Sequence, residues 1–352
     1  MAKPRQMQLM SDSGMEGQFF HVISRINGRT RVLEEGEREA FRSLLRRAGK
    51  FSGVEVITWA MLSNHFHIVV RIPEKPPEIT DEVFWRRLKA LYSREEIDEI
   101  RATMQRIPEM TPGLAGEVLL RQYRQRFLDR MGDLSEFMKT LLQRFTQWFN
   151  KRHDRVGRLW ESRFRSVLIE GAWEPLMSVA AYVDLNAVRA GMVDDPKDYR
   201  WCGYAEATAG KHVAKRGLGF LLHREAAAGG GGAQVTWRVV AREYRKLLFG
   251  IGEERGLSGD GKRALRRGLK REEVEKVWRA GGKLSMSQLL RCRLRYFTDG
   301  VVIGSKAFVN AFFECKREYF SKTRKDGARR LRGGDWGTLR CARDLQKAPV
   351  AL

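Results

Sequence analysis

The chain has 352 residues, enough for two domains, and 43% of them are hydrophobic, which excludes a chain that stays disordered. Its formal charge of +23, from 66 Lys and Arg against 43 Asp and Glu, points away from an acidic or neutral surface. It predicts a polyanionic partner, nucleic acid before an anionic membrane.

The four cysteines (Cys202, Cys292, Cys315 and Cys341) include no C-x-x-C pair, which argues against a zinc knuckle and against a disulfide framework. No apolar run approaches the ~20 residues of a membrane helix. The basic start, Met1-Ala-Lys-Pro-Arg-Gln6, is not followed by a signal-peptide core. The expectation is a cytoplasmic protein with no membrane partner.

In chain order, residues 17–26 alternate apolar and polar as a first strand does. Residues 34–50 place Phe41, Leu44 and Leu45 at helical spacing, with Gly49 as a stop. A β-branched and aromatic run, Val54–Met61, predicts a second strand. After a break at Leu62-Ser-Asn64, His65–Ile72 predicts a third, closed by Pro73. From Pro76 to about Asn150 the pattern is helical and rich in Arg. Residues 157–170 return to a strand or hairpin. Gly171–Gly191 frames a helix with Pro175 in its first turn and Gly191 as cap.

The fold class is therefore α+β: a ferredoxin-like βαββαβ antiparallel sheet with helices on one face. A helical insertion at about 76–130 separates its two halves. This domain spans 1–210. A linker covers 211–233, its Ala226–Ala233 stretch made only of Ala and Gly. A basic, mainly helical domain fills 234–352 and is a candidate for DNA binding. Helices are expected over 234–252 and 263–281. Residues 284–320 read as helix, a turn at Asp299-Gly300, and a second helix.

The third strand carries Asn64-His-Phe-His-Ile-Val-Val-Arg-Ile72. Alternation puts Phe66, Ile68, Val70 and Ile72 on one apolar face, and His65, His67, Val69 and Arg71 on the other, opposite the expected core. Two imidazoles about 7 Å apart along a strand suit a cation bound from one side with coordination positions left open. The same pair, taken alone, reads more readily as two partly exposed strand histidines with no ligand. In the helix after Pro175, Leu176, Val179, Val183 and Ala187 form a core stripe. Tyr182, Asn186 and Arg189 form a second stripe at i, i+4 and i+7. That set too has a bland reading, a tyrosine at the border of the core.

Together the motifs are specific. Ser63-Asn-His-Phe-His-Ile-Val-Val70, Gly157-Arg-Leu-Trp-Glu-Ser-Arg-Phe-Arg-Ser166 and Ala181-Tyr-Val-Asp-Leu-Asn-Ala-Val-Arg-Ala-Gly191, in that order, resemble the REP-associated tyrosine transposases. Those belong to the single-tyrosine His-hydrophobe-His (HUH) nuclease superfamily, beside the transposases of single-strand insertion sequences. The resemblance runs from about residue 17 to 206. It implies that His65 and His67 bind a divalent metal, Mg²⁺ or Mn²⁺, with Asn186 as third ligand and Tyr182 as nucleophile.

The activity implied is a metal-dependent single-stranded-DNA endonuclease and strand transferase. It would act on hairpin-forming repeats through a covalent 5′-phosphotyrosine. The chain departs from the family pattern in having Asn186-Ala187 where Asn-Pro is usual, and in its longer insertion. A domesticated DNA-binding protein that keeps the fold without turnover is the alternative. A nicking enzyme for replication or mobilisation fits less well, since those relatives often use two tyrosines or a third histidine, and the motifs show neither.

Candidate phosphate contacts are Arg71 and Arg189 beside these motifs. Arg152, Arg155, Arg158, Arg163 and Arg165, interleaved with Trp160, suit a single strand whose bases stack and whose phosphates need neutralising. Arg324, Lys325, Arg329 and Arg330 form a C-terminal basic patch. Whether the protein is a monomer or a homodimer is left open by the sequence.

Overall fold

A computed structural model describes residues 17–76, 78–228, 236–249, 290, 297, 300–332 and 336–346. The chain forms two compact units. One comprises 1–33, 56–70 and 160–352, the other 34–55 and 71–159.

Among the described residues, the first unit is built on a sheet of seven strands: β1 (Gln18–Arg25), β2 (Glu55–Met61), β3 (His65–Ile72), β4 (Arg165–Ile169), β5 (Val302–Gly304), β6 (Arg329–Arg330) and β7 (Arg340–Ala342). Their order is β2-β3-β1-β4-β5-β7-β6. The first four strands keep the order of a ferredoxin-like sheet, so the α+β expectation holds. β1 runs antiparallel to β4 with His21 opposite Val167, and β4 runs parallel to β5 with Leu168 opposite Val302. β7 is antiparallel to both β5 and β6.

The central strands are buried on both faces. In β1, residues 19–24 are all buried, as are 66–70 in β3. Strands covered on two sides read as near-continuous apolar runs, and the histidine face of β3 is buried at His67 and Val69 while His65 and Arg71 at its ends are half-buried. The expectation that it lay opposite the core is corrected here. Helix α6 (Trp173–Asp184) brings Tyr182 to within ring contact of His21 and His67 on that face.

The region after residue 210 also differs from expectation. Much of the supposed linker is helix α9 (His212–Ala228), whose Ala214, Leu218 and Leu221 are buried at i, i+4 and i+7. A Cβ at Gly217 would lie 2.5 Å from the Ile57 carbonyl oxygen and 2.7 Å from that of Val56, so α9 lies directly on the β2 backbone. Helix α10 (Trp237–Phe249) follows. The expected helix at 263–281 lies outside the described residues. The second helix expected within 284–320 is present as Lys306–Cys315, and the short strand β5, which was not expected, precedes it. The last described residues thus extend the same sheet through β6 and β7.

The second unit is helical: α1 (Glu35–Ser52), α2 (Asp81–Leu91), α3 (Arg94–Met110), α4 (Leu114–Leu128) and α5 (Leu134–Arg152). A capping box between Glu34 and Glu37 opens α1. Gly53, not Gly49, ends it in the left-handed conformation with φ 74°, where a side chain is strained. Its core gathers Phe51, Phe84, Leu88, Leu91, Ile97, Ile100 and Met131. None of the described helices is long and apolar enough to cross a membrane.

Candidate active site

Tyr182 sits near the end of α6, 4% exposed. Its ring centroid lies 6.0 Å from that of His67 on β3 and 6.0 Å from that of His21 on β1. His65 and His67 are 5.2 Å apart between ring centroids. Residues more than a hundred positions apart in the chain thus meet on one side of the sheet. Motif reading predicted His65, His67 and Tyr182. It missed His21, the third imidazole, whose Nε2 lies 2.9 Å from His67 Nδ1 with the two rings stacked. The signal was present: a histidine inside Phe19-Phe20-His21-Val22-Ile23 has to find a polar partner once buried.

Burial sets the charge of these rings. It pushes His21 down to about 4, opposed by the bond from its Nδ1 to the Phe297 carbonyl at 3.1 Å. Burial, followed by the neighbouring His21 and His65, holds His67 well below the ordinary imidazole value. Both are neutral near pH 7, the state in which an imidazole ligates. His65 is half-buried, and its Nδ1 lies 2.6 Å from Asn64 Oδ1. Asn64 is held the right way round because its Nδ2 donates to the Arg29 carbonyl at 2.9 Å. In its neutral form the His65 ring therefore carries its proton on Nδ1 and its lone pair on Nε2.

The single helix expected over 171–191 breaks at Leu185 (φ −79°, ψ 1°), and a short α7 (Asn186–Arg189) follows. The absent proline does not lengthen the helix. Instead Asn186 Nδ2 bonds back to the Tyr182 and Val183 carbonyls at 3.2 and 3.1 Å, a local competition that loosens a helix end. Asn186 is 7% exposed. Its amide nitrogen is committed to the backbone, so the oxygen is the donor it offers to a cation. Among the described residues, no group of three or more His, Cys, Asp or Glu is arranged to hold a metal ion. The donor types that the motif residues offer are two imidazoles and the Asn186 amide oxygen. That set suits a divalent cation with positions left open.

The predicted phosphate contacts divide. Arg189 is 6% exposed. Its guanidinium lies 3.9 Å over the Tyr182 ring and donates to the Tyr182 and Leu290 carbonyls at 2.7 and 2.9 Å. It is a bolt inside the site rather than a surface contact. Arg71 pairs with Glu55 at 2.8 Å. Arg324 donates to the Asp326 and Gly327 carbonyls and rests 4.8 Å over the Phe320 ring, so it braces its own loop. Arg152 reaches Glu37 at 3.4 Å, and Arg155 lies 5.8 Å over Phe149. Both keep exposed surface, as do Arg158, Arg163, Arg165, Lys325, Arg329 and Arg330.

Residues 15–107 match the family model described as "Transposase IS200 like". That stretch is similar in sequence to the IS200-like transposases. It holds all three clustered histidines, while Tyr182, Asn186 and Arg189 lie beyond it. Among solved structures, the chain is similar to one described as "Structure of the REP associates tyrosine transposase bound to a REP hairpin". Identity is 15%, over 60% of this chain and 87% of that one, with a TM-score of 0.37. No curated protein matches the chain. The matched segment and the tyrosine helix, distant in sequence, meet in the fold through the His67–Tyr182 contact.

Proposed function

We propose that the protein is a transposase of the single-tyrosine type, a single-stranded-DNA endonuclease and strand transferase in which Tyr182 is the nucleophile. One observation carries this reading: the Tyr182 ring stands 6.0 Å from the His67 ring, on the same side of the sheet, in a chain whose net charge of +23 suits a phosphodiester substrate. A divalent cation on His65, His67 and Asn186 would supply Lewis-acid polarisation of a non-bridging phosphate oxygen.

Tyr182 loses its phenolic proton and attacks phosphorus. The new bond is Oη–P, and the bond that breaks joins phosphorus to the 3′ oxygen, which takes up a proton as the free 3′-OH. The 5′ side stays on the tyrosine, so the phosphodiester bond energy is retained. A second 3′-OH can then displace the phenol and join strands without a nucleotide cofactor. A hairpin-forming repeat in single-stranded DNA is the proposed substrate. Incubating hairpin oligonucleotides with Mg²⁺ or Mn²⁺ should give a protein–DNA adduct that survives denaturation. No adduct from the wild type, or an adduct retained by Tyr182→Phe, rejects the mechanism. Metal-independent binding without cleavage would favour the non-catalytic alternative.

A further inference from the structure

We infer that His21 is a positioning residue, one that fixes which nitrogen of His67 is available to a cation; the inference rests on the metal role proposed for His67. The argument is a proton count along a buried chain of three groups. The Phe297 carbonyl has no proton to give, so the 3.1 Å contact with His21 Nδ1 makes that nitrogen the donor. A neutral His21 ring then has its lone pair on Nε2. A doubly protonated one would be a second cation buried beside the Arg189 guanidinium, which lies 3.9 Å over the neighbouring Tyr182 ring.

Since His21 Nε2 accepts, His67 Nδ1 must donate across the 2.9 Å between them. The remaining nitrogen of His67, Nε2, carries the lone pair. His65 reaches the same tautomer by a local route, through Asn64. Both imidazoles of the His-x-His pair are thus set to offer Nε2, one by its sequence neighbour and one by a histidine on the adjacent strand. Metal-binding histidines are commonly oriented in this way by a partner on the other ring nitrogen. His21 itself, with both nitrogens engaged, serves through His67 and is not the third ligand histidine of the nicking enzymes.

The test starts with the metal-free wild type labelled with ¹⁵N-histidine. Long-range ¹H–¹⁵N correlation should show His67 protonated on Nδ1, and a proton on Nε2 overturns the inference. Mn²⁺ titration by calorimetry then compares His21→Leu with His21→Gln. The leucine variant should mix the His67 tautomers and lose roughly 10–100-fold in Mn²⁺ affinity. Glutamine can donate to the Phe297 carbonyl and accept from His67, and should keep both. A folded leucine variant with the wild-type tautomer and affinity overturns the inference. If the leucine variant does not fold, loss of the tautomer in the glutamine variant does so. A wild type that takes up no Mn²⁺ would sink the metal reading alone, because the tautomer spectrum decides the role of His21 without metal.

Discussion

Arg189 donates a hydrogen bond to the backbone carbonyl of Tyr182 at 2.7 Å while its guanidinium lies 3.9 Å over the ring of that same tyrosine. The fork holds the proposed nucleophile by its backbone and by its π face at once. A lysine would reach one of these at a time. Arg189→Lys should therefore cost about 1–3 kcal/mol in urea unfolding and leave the salt dependence of DNA binding unchanged. A reduced salt slope with unchanged stability would return Arg189 to the phosphate contacts.

Asp184, fully buried two residues after the tyrosine, accepts from Tyr244 Oη at 2.6 Å, Thr58 Oγ1 at 2.8 Å and the Tyr204 backbone N–H at 3.1 Å. Burial still raises its carboxyl from 3.8 to about 6, against the lowering effect of those bonds. Between these values the folded protein holds a proton that the unfolded chain has released. The contribution of Asp184 is thus fully present below about 3.8 and is lost as pH rises through 6. The stability of the wild type minus that of Asp184→Asn should fall across this window. Urea melts at pH 4, 5, 6 and 7 measure it, and a flat difference would contradict the assignment.

The arginines of the C-terminal patch should separate by role. Arg329 and Arg330 are exposed on β6, and replacing either with alanine should reduce the slope of log affinity against log salt by roughly 1. Arg324→Ala should leave that slope alone and cost about 1–3 kcal/mol in stability, because it strips donors from the Asp326 and Gly327 carbonyls. Identical slopes for all three variants and the wild type would remove β6 from the DNA surface.

Gly217 is where α9 meets β2, and a methyl group there has no room beside the Ile57 and Val56 carbonyl oxygens. Gly217→Ala should destabilise by about 1–3 kcal/mol through overpacking, read by tryptophan fluorescence in denaturant. An unchanged midpoint would mean that α9 can lift from the strand without loss.

Reading the sequence alone gave the first four strands and their α+β order, because each apolar run is bounded by its own Gly, Pro or Asn signals, and alternation along a strand is local information. The family resemblance of its motifs singled out His65, His67 and Tyr182, and the fold brings their rings together. What it did not give is instructive. His21 looks like any strand residue until β1 and β3 are paired. Arg189 looks like a surface cation until α7 turns its side chain over Tyr182. The region after 210 read as linker and helices, since strands of two or three residues such as β5, β6 and β7 have too few positions to show a period.

Local patterning and charge determined this protein's elements and the polyanion it is suited to. Only the tertiary structure decided that His67 is buried, that His21 on the neighbouring strand meets it at 2.9 Å, and that the tyrosine helix brings its ring against both. The physical reason is that burial and hydrogen-bond partners are set by segments far apart in the chain. A side chain's protonation and role follow from those partners, which no window of neighbouring residues contains.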